Sequence, residues 1–329
     1  MPTSNNTIVC VTHSADSYPV EWVMNHLREH GHACVRMNSD QYPLHLKMGG
    51  NLNQKGQEIT LATNEWSLKG SQVSAIWHRK NSICNLTGAL EGDTLSQATR
   101  ESECIKQTLL HGIKNAFWLD HPAIQQQAED KWRQLCVAQS IGLHIPKTLF
   151  SNIPEQVATF YDECNGDIIA KMHTPLTVSM GKPSSFVYTS TVTKEHLADL
   201  DSLKYSPMIF QQRINKQSEL RIAYVDGHCF PAGIEAHSKT ESHLTDWRKA
   251  DPTLSKWVNC QIPDELTQKI RSLMNALHLK FGAIDFILDT HGQYQFLEVN
   301  PAGEWGMLEA ELGLPISKQI ALTLIKYCQ

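Results

Sequence analysis

Near the C-terminal end, two β-rich runs, FGAIDFIL (281–288) and QYQFLEVN (293–300), flank the turn signal DTHG and specify an antiparallel hairpin. Side chains alternate across a strand, so Ala283, Asp285 and Ile287 share one face while Gly282, Ile284, Phe286 and Leu288 share the other. A turn of two or four residues centred on Thr290-His291 sets residue 285 against 296, and a two-residue turn at His291-Gly292 sets it against 298. Either register keeps Asp285, Glu298 and Asn300 on one face, because opposed residues point the same way. The opposite face, with Ile284, Phe286, Leu297 and Val299, suits the run ELTQKIRSLMNALHL (265–279), whose Leu266, Ile270, Leu273, Met274 and Leu277 recur at helical spacing. This segment therefore demands a sheet with a helix on one side and three oxygen-bearing side chains on the other.

Two carboxylates at cross-strand distance repel unless a cation lies between them, and carboxylate plus amide oxygen is a hard-ligand set that suits Mg²⁺ rather than zinc. The competing reading is a solvated pair, or one matched by Lys or Arg. Companions favour a magnesium–nucleotide site. Lys131 opens an amphipathic helix, and Lys171 ends the strand DIIAKM (167–172) directly before a long loop, 172–185, that contains Gly181. Facing one another across a cleft, the two ammonium groups would hold the α- and β-phosphates while Mg²⁺ bridges β and γ, with the loop as a lid. PMIFQQRI (207–214) is an apolar strand entering a polar linker, as a hinge requires, with its backbone and Gln211 or Gln212 placed to read an adenine edge. SELRIAYVDGH (218–228) puts Glu219 and Arg221 on one strand face, and an arginine aimed at phosphate gives bidentate charge stabilisation. DWRKAD (246–251) supplies Arg248 before a polar loop.

The chain opens as β-α-β: TIVCVT (7–12), PVEWVMNHLREH (19–30) with Val20, Val23, Met24 and Leu27 on one face, and ACVRM (33–37). That pattern calls for a parallel sheet, yet THSADSYP after the first strand lacks G-x-G-x-x-G, so dinucleotide binding is not indicated. VSAIWHRK (73–80), a polar helix over 94–114 and a helical pattern over 124–141 follow, then TKEHLADL (193–200) as a short helix; residues 215–329 begin as an antiparallel ladder and close with a helix and a hairpin. The formal charge of -5 is evenly spread over 329 residues, which excludes a nucleic-acid footprint. No apolar stretch reaches a membrane span and no export signal leads the chain, so a cytoplasmic protein is expected. Nine cysteines without C-x-x-C indicate neither a disulfide framework nor a zinc knuckle.

Taken in order, Lys131, Lys171, QQRI, E-L-R, D-W-R and D…E-V-N-P resemble the ATP-grasp superfamily over the whole chain. More narrowly, THSAD, VSAIWHRK, KQSELRIAYV, the DWR segment and FLEVNPAGEWGMLE resemble the graspetide macrocyclases of microviridin-type peptides. KMHTPLTVSM…SSFVYTS and VNPAGEWGMLE place the resemblance nearest the lactam-forming branch. Two departures stand out: QQRI replaces the Gln-Glu pair of many relatives, and WHRK the usual aromatic-Arg-Arg. The resemblance implies an α/β (α+β) ATP-grasp fold with an N-terminal pre-grasp α/β domain (1–120), a central α+β domain (121–214) and a C-terminal antiparallel-sheet grasp domain (215–329). It implies ATP phosphates at Lys131 and Lys171, adenine at Gln211, Gln212 and Ile214, ribose at Glu219, and two Mg²⁺ at Asp285, Glu298 and Asn300. Arg221, with Arg248, would face the transferring phosphoryl group.

A carboxylate is a poor electrophile. An Asp or Glu side chain of the peptide would first take the γ-phosphoryl group as an acyl phosphate, and a Lys amine or Ser/Thr hydroxyl would then displace phosphate to close an ω-amide or ω-ester ring. The implied partner is a precursor peptide whose leader is gripped at the 193–200 helix; neither nucleic acid nor membrane is expected, and the family resemblance implies a homodimer. Two other readings fit the motifs: a ligase adding free amino acids to a carboxylate, as the ribosomal-protein glutamate ligases do, and an ATP-binding interaction protein without turnover. The complete set of Asp285, Glu298, Asn300 and Arg221 argues against the last.

Overall fold

A computed structural model describes residues 6–173, 189–236 and 255–328; residues 174–185 of the expected lid loop and Arg248 lie outside the described residues. The β-branched run becomes β1 (Thr7–Thr12), buried along its whole length as a central parallel strand must be. α1 (Tyr18–Glu29), with Pro19 in its first turn, leads to β2 (Ala33–Asn38). β3 (Lys47–Asn53), β4 (Gly56–Ala62) and β5 (Ser67–Lys69) form a separate antiparallel sheet, and β6 (Val73–His78), α2 (Gly92–His111) and β7 (Phe117–Leu119) follow. The parallel sheet has the order β2-β1-β6-β7.

The helical pattern expected over 124–141 is split into α3 (Pro122–Ala128) and α4 (Lys131–Ser140). Asp130 causes the break: its Oδ1 accepts from the backbone N–H of Arg133 at 3.0 Å, a cap that starts a new helix with Lys131 as its first residue. Next come β8 (Thr148–Ser151), α5 (Pro154–Glu163), β9 (Ile168–Lys171), β10 (Ser190–Thr191), α6 (Lys194–Leu197) and β11 (Met208–Gln212). These strands form an antiparallel sheet, β10-β9-β11-β8, over a small core of Val157, Phe160, Ile168 and Phe210.

β12 (Lys216–Val225), β13 (His228–Ala236), β14 (Ser255–Asn259), α7 (Asp264–Ala276), β15 (Phe281–Asp289) and β16 (Tyr294–Asn300) complete a five-stranded antiparallel sheet, β14-β13-β12-β15-β16. Ile222, Tyr224, Ile284, Phe286 and Val299 pack on α7 through Leu266, Ile270, Leu273 and Met274, as the sequence requires, and α4 joins that layer. Gln134 fastens α4 to β16 by donating to the Val299 carbonyl and accepting from its N–H, both at 2.8 Å. Leu297 departs from expectation. Leu288 opposes Tyr294 and Phe286 opposes Phe296, but a bulge at Leu297 then shifts the register so that Asp285 opposes Glu298 and Ala283 opposes Asn300. Phe296 therefore occupies the core place expected for Leu297, at 0% exposure, and Leu297 faces the other side.

The hairpin does not end the fold. α8 (Gly306–Leu312) and α9 (Ile316–Tyr327) follow it, and α9 packs against α1. Val20, Val23, Leu27 and Trp77 of the first sheet layer share one core with Phe281, Ile316, Ile320 and Leu324. The four-residue spacing of Ile316, Ile320 and Leu324 is a helix signal that the sequence reading passed over. Among the described residues, no helix is long and apolar enough to cross a membrane.

Asp120, 3% exposed, ties β7 to β15 by accepting from the N–H groups of Lys280 and Phe281 at 2.9 and 3.0 Å. Burial lifts its carboxyl from 3.8 to about 7, against a smaller lowering by those two donors. The folded protein keeps a proton there that the unfolded chain releases, so stability falls as pH rises between 3.8 and about 7. Asp120→Asn retains the acceptor without the charge. Thermal melts from pH 4 to 9 are expected to show its advantage over wild type widening up to about pH 7 and then holding constant; parallel curves would remove this account.

Candidate active site

The face of β12, β15 and β16 turned away from α7 forms one wall of a cleft of about 510 Å³, and the ends of β9 and β11 form the other. Register sets the chemistry of the first wall. Arg221 opposes Asp285, which opposes Glu298, so three charged side chains lie in one row across three strands. Arg221 donates from Nε and Nη2 to the two oxygens of Asp285 at 2.9 and 3.0 Å, a bidentate pair. Lys131 pairs with Glu298. Burial alone would raise the Glu298 carboxyl, but the charges of Lys131 and then Lys171 outweigh it and hold the group well below the usual carboxylate range. Asn300 completes the cluster, its Nδ2 lying 3.5 Å from Asp285 Oδ2 and 3.4 Å from Glu298 Oε1.

On the facing wall, Lys171 Nζ donates to Gln211 Oε1 at 3.1 Å, and Gln211 Nε2 donates to Thr148 Oγ1 at 2.9 Å. Gln211 is 2% exposed, so its amide positions the lysine from within the sheet. Gln212 at the end of β11, Ile214 just beyond it and Glu219 of β12 border the same cleft, and Lys216 pairs with Glu219. Every sequence-predicted site residue within the described regions, from Lys131 to Asn300, thus lines one space. Sequence reasoning missed Lys216, Leu297 and Glu304, which line it too. Lys216 stands three residues before Glu219, a spacing that an even strand would put on opposite faces; the irregularity between Lys216 and Ser218 brings the two together, and no local spacing signals it.

A divalent cation fits this donor set. Two carboxylates and an amide converge there, the hard-donor chemistry that Mg²⁺ takes; among the described residues no group of three His, Cys, Asp or Glu side chains forms a metal cluster. Both carboxylates are held in place by protein cations, Asp285 by Arg221 and Glu298 by Lys131.

The sequence matches two family descriptions, "MvdD pre-ATP grasp domain" over residues 7–128 and "RimK-like ATP-grasp domain" over residues 128–324. No curated protein matches it. Among solved structures, the fold is similar to a RiPP-associated ATP-grasp ligase from Chryseobacterium gregarium, in complex with ADP and a leader and core peptide. The TM-score is 0.91 at 31% identity, over 98% of this chain and 97% of that one. It is also similar to two macrocyclases of Microcystis aeruginosa MRC. MdnC, bound with precursor peptide MdnA, has a TM-score of 0.86 and 30% identity, over 97% of this chain and 99% of that one. MdnB has a TM-score of 0.82 and 36% identity, over the same shares.

Proposed function

The chain belongs to the RimK-like ATP-grasp family, and from that membership we propose that it is an ATP-dependent macrocyclase closing ω-amide or ω-ester rings in a ribosomally made precursor peptide. The observation that carries the reading is the row Arg221–Asp285–Glu298 facing Lys131 and Lys171 in one cleft, in a chain alike from end to end to ligases solved with leader, core or precursor peptides. The nearest ring chemistry is the ω-amide.

Lys131 and Lys171 bind the nucleotide phosphates, with Gln211 fixing the second lysine. Gln212 and Ile214 border the base and Glu219 the ribose. Asp285, Glu298 and Asn300 would hold Mg²⁺, two ions as the family resemblance implies, and the metal would supply charge neutralisation to the phosphoryl group. Arg221, with Arg248, faces that group. A peptide carboxylate oxygen bonds to the γ-phosphorus as ADP leaves; the amine nitrogen or hydroxyl oxygen then bonds to the acyl carbon as phosphate leaves and its proton is released to solvent. α6 and the residues around it, 193–200, receive the leader, and the active protein is a homodimer in the cytoplasm.

Mass spectrometry of a precursor peptide after incubation with the protein, ATP and Mg²⁺ tests the reading. The expected result is loss of one water mass for each ring. Gain of amino-acid masses would favour the amino-acid-adding ligase, and nucleotide binding without ADP formation would favour a non-catalytic role.

A further inference from the structure

The parallel sheet reverses its strand order between β1 and β6, and in open α/β sheets a crevice forms past the carboxyl ends of the strands at such a point. A second cavity, of about 390 Å³, lies there, lined by Asp16, Tyr18 and Arg79 on one side and by Arg221, Glu304 and Met307 on the other. Arg221 and Glu304 line the nucleotide cleft as well, so the two spaces meet beside the phosphoryl-transfer residue proposed above.

Within this cavity one cation is fixed and one carboxylate is not. Arg79 is 4% exposed and donates from Nε and Nη2 to the two oxygens of the buried Asp16 at 2.7 and 3.1 Å. Its guanidinium lies 5.7 and 5.6 Å from the ring centroids of Trp77 and Trp305, which hold it from two sides. Glu304, in contrast, is 44% exposed; it accepts from Arg79 Nη2 at 3.2 Å and pairs with Lys80. Glu304 is the solvent-facing member of the cluster, so an incoming carboxylate takes its place without uncovering the buried Asp16–Arg79 pair.

We propose that this second cavity receives an acidic side chain of the substrate peptide, which displaces Glu304 from Arg79 and Lys80. The inference rests on the reading of the chain as a ligase for acidic peptides. Such an enzyme must hold a carboxylate beside the phosphoryl group in space that the nucleotide does not fill. One carboxylate enters as another leaves, so Arg79 and Lys80 keep their counter-charge throughout. The planar fork of Arg79 accepts a carboxylate and discriminates against the neutral amide.

Titration of the full-length protein with N-acetyl-glutamate N-methylamide and with its glutamine counterpart tests this without requiring turnover. The glutamate probe is expected to bind about tenfold more tightly than the glutamine probe, the contribution of a charge-assisted hydrogen bond. Lys80→Met should weaken the glutamate probe about tenfold. Glu304→Gln should tighten it several-fold, because the competing carboxylate is gone. Both residues are partly exposed, so both variants keep the fold, and a purely structural ion pair would not give opposite signs. Equal binding of the two probes, no binding to Glu304→Gln, or shifts of the same sign from both variants overturns the proposal. ADP binding in the same samples reports on the nucleotide cleft separately; its loss counts against the proposed function, while the receiving site stands or falls on the probes.

Discussion

Asp285→Asn and Glu298→Gln are each expected to lower ATP turnover about 10³-fold while leaving the fold intact, the rate equivalent of losing several kcal/mol of charge stabilisation on the phosphoryl group. Each change keeps the shape of the side chain and removes one negative charge from the row that opposes Arg221 and Lys131. Both pairs are largely buried, so each variant also loses stability as a cation is left without its counter-charge, and turnover is compared at a temperature where the melts show folded protein. The measurement is ADP formation against Mg²⁺ concentration, together with thermal melts. The Mg²⁺ requirement should shift to higher concentration in both variants. Turnover near wild type in both, at unchanged Mg²⁺ requirement, would remove Asp285 and Glu298 from the metal site.

Gly303→Ala is expected to be nearly as damaging through sterics alone. A Cβ at this position would stand 2.4 Å from the Ala283 Cβ and 3.1 Å from the Asn300 carbonyl oxygen. Neither neighbour is the end of a flexible side chain, so the turn after β16 must move. Overpacking of this kind costs about 1–3 kcal/mol, a fall of a few degrees in Tm. It also pushes on Asn300, and a displacement of about 1 Å in a positioning group costs about 10²-fold in rate. Gly49→Ala, whose Cβ would meet nothing within 4 Å, is the matched control and should change neither quantity. Equal behaviour of the two variants would show that the turn tolerates the shift.

The strand pattern of the C-terminal hairpin was legible because side-chain alternation is a local rule, and Asp285, Glu298 and Asn300 do share a face. The reason is less simple than an even-numbered turn. Residues 289–293 connect strands whose first pair is Leu288 with Tyr294, and an uninterrupted ladder from there would set Leu297, not Glu298, against Asp285. The bulge at Leu297 restores the match and lets Phe296 point inward while Glu298 points outward, although the two are only two residues apart. No single-sequence alternation rule encodes that insertion. The helix start at Lys131 was legible, and Asp130 is the strong cap that sets it, although the apolar periodicity on either side reads as one helical pattern over 124–141. The ion pairs Arg221–Asp285 and Asp16–Arg79 join residues 64 and 63 positions apart, and only the assembled sheets bring them together.

Residues 316–327 are made roughly 300 residues after α1, yet α9 supplies the apolar partner of that helix. At about 5–20 residues per second, the roughly 300 residues between them take about 15–60 s to make. For that interval Val20, Val23 and Leu27 lack the Ile316–Ile320–Leu324 stripe that covers them in the finished protein. The apolar face of α1 thus stays uncovered until α9 is made, and chaperone capture or aggregation of the nascent protein should concentrate there.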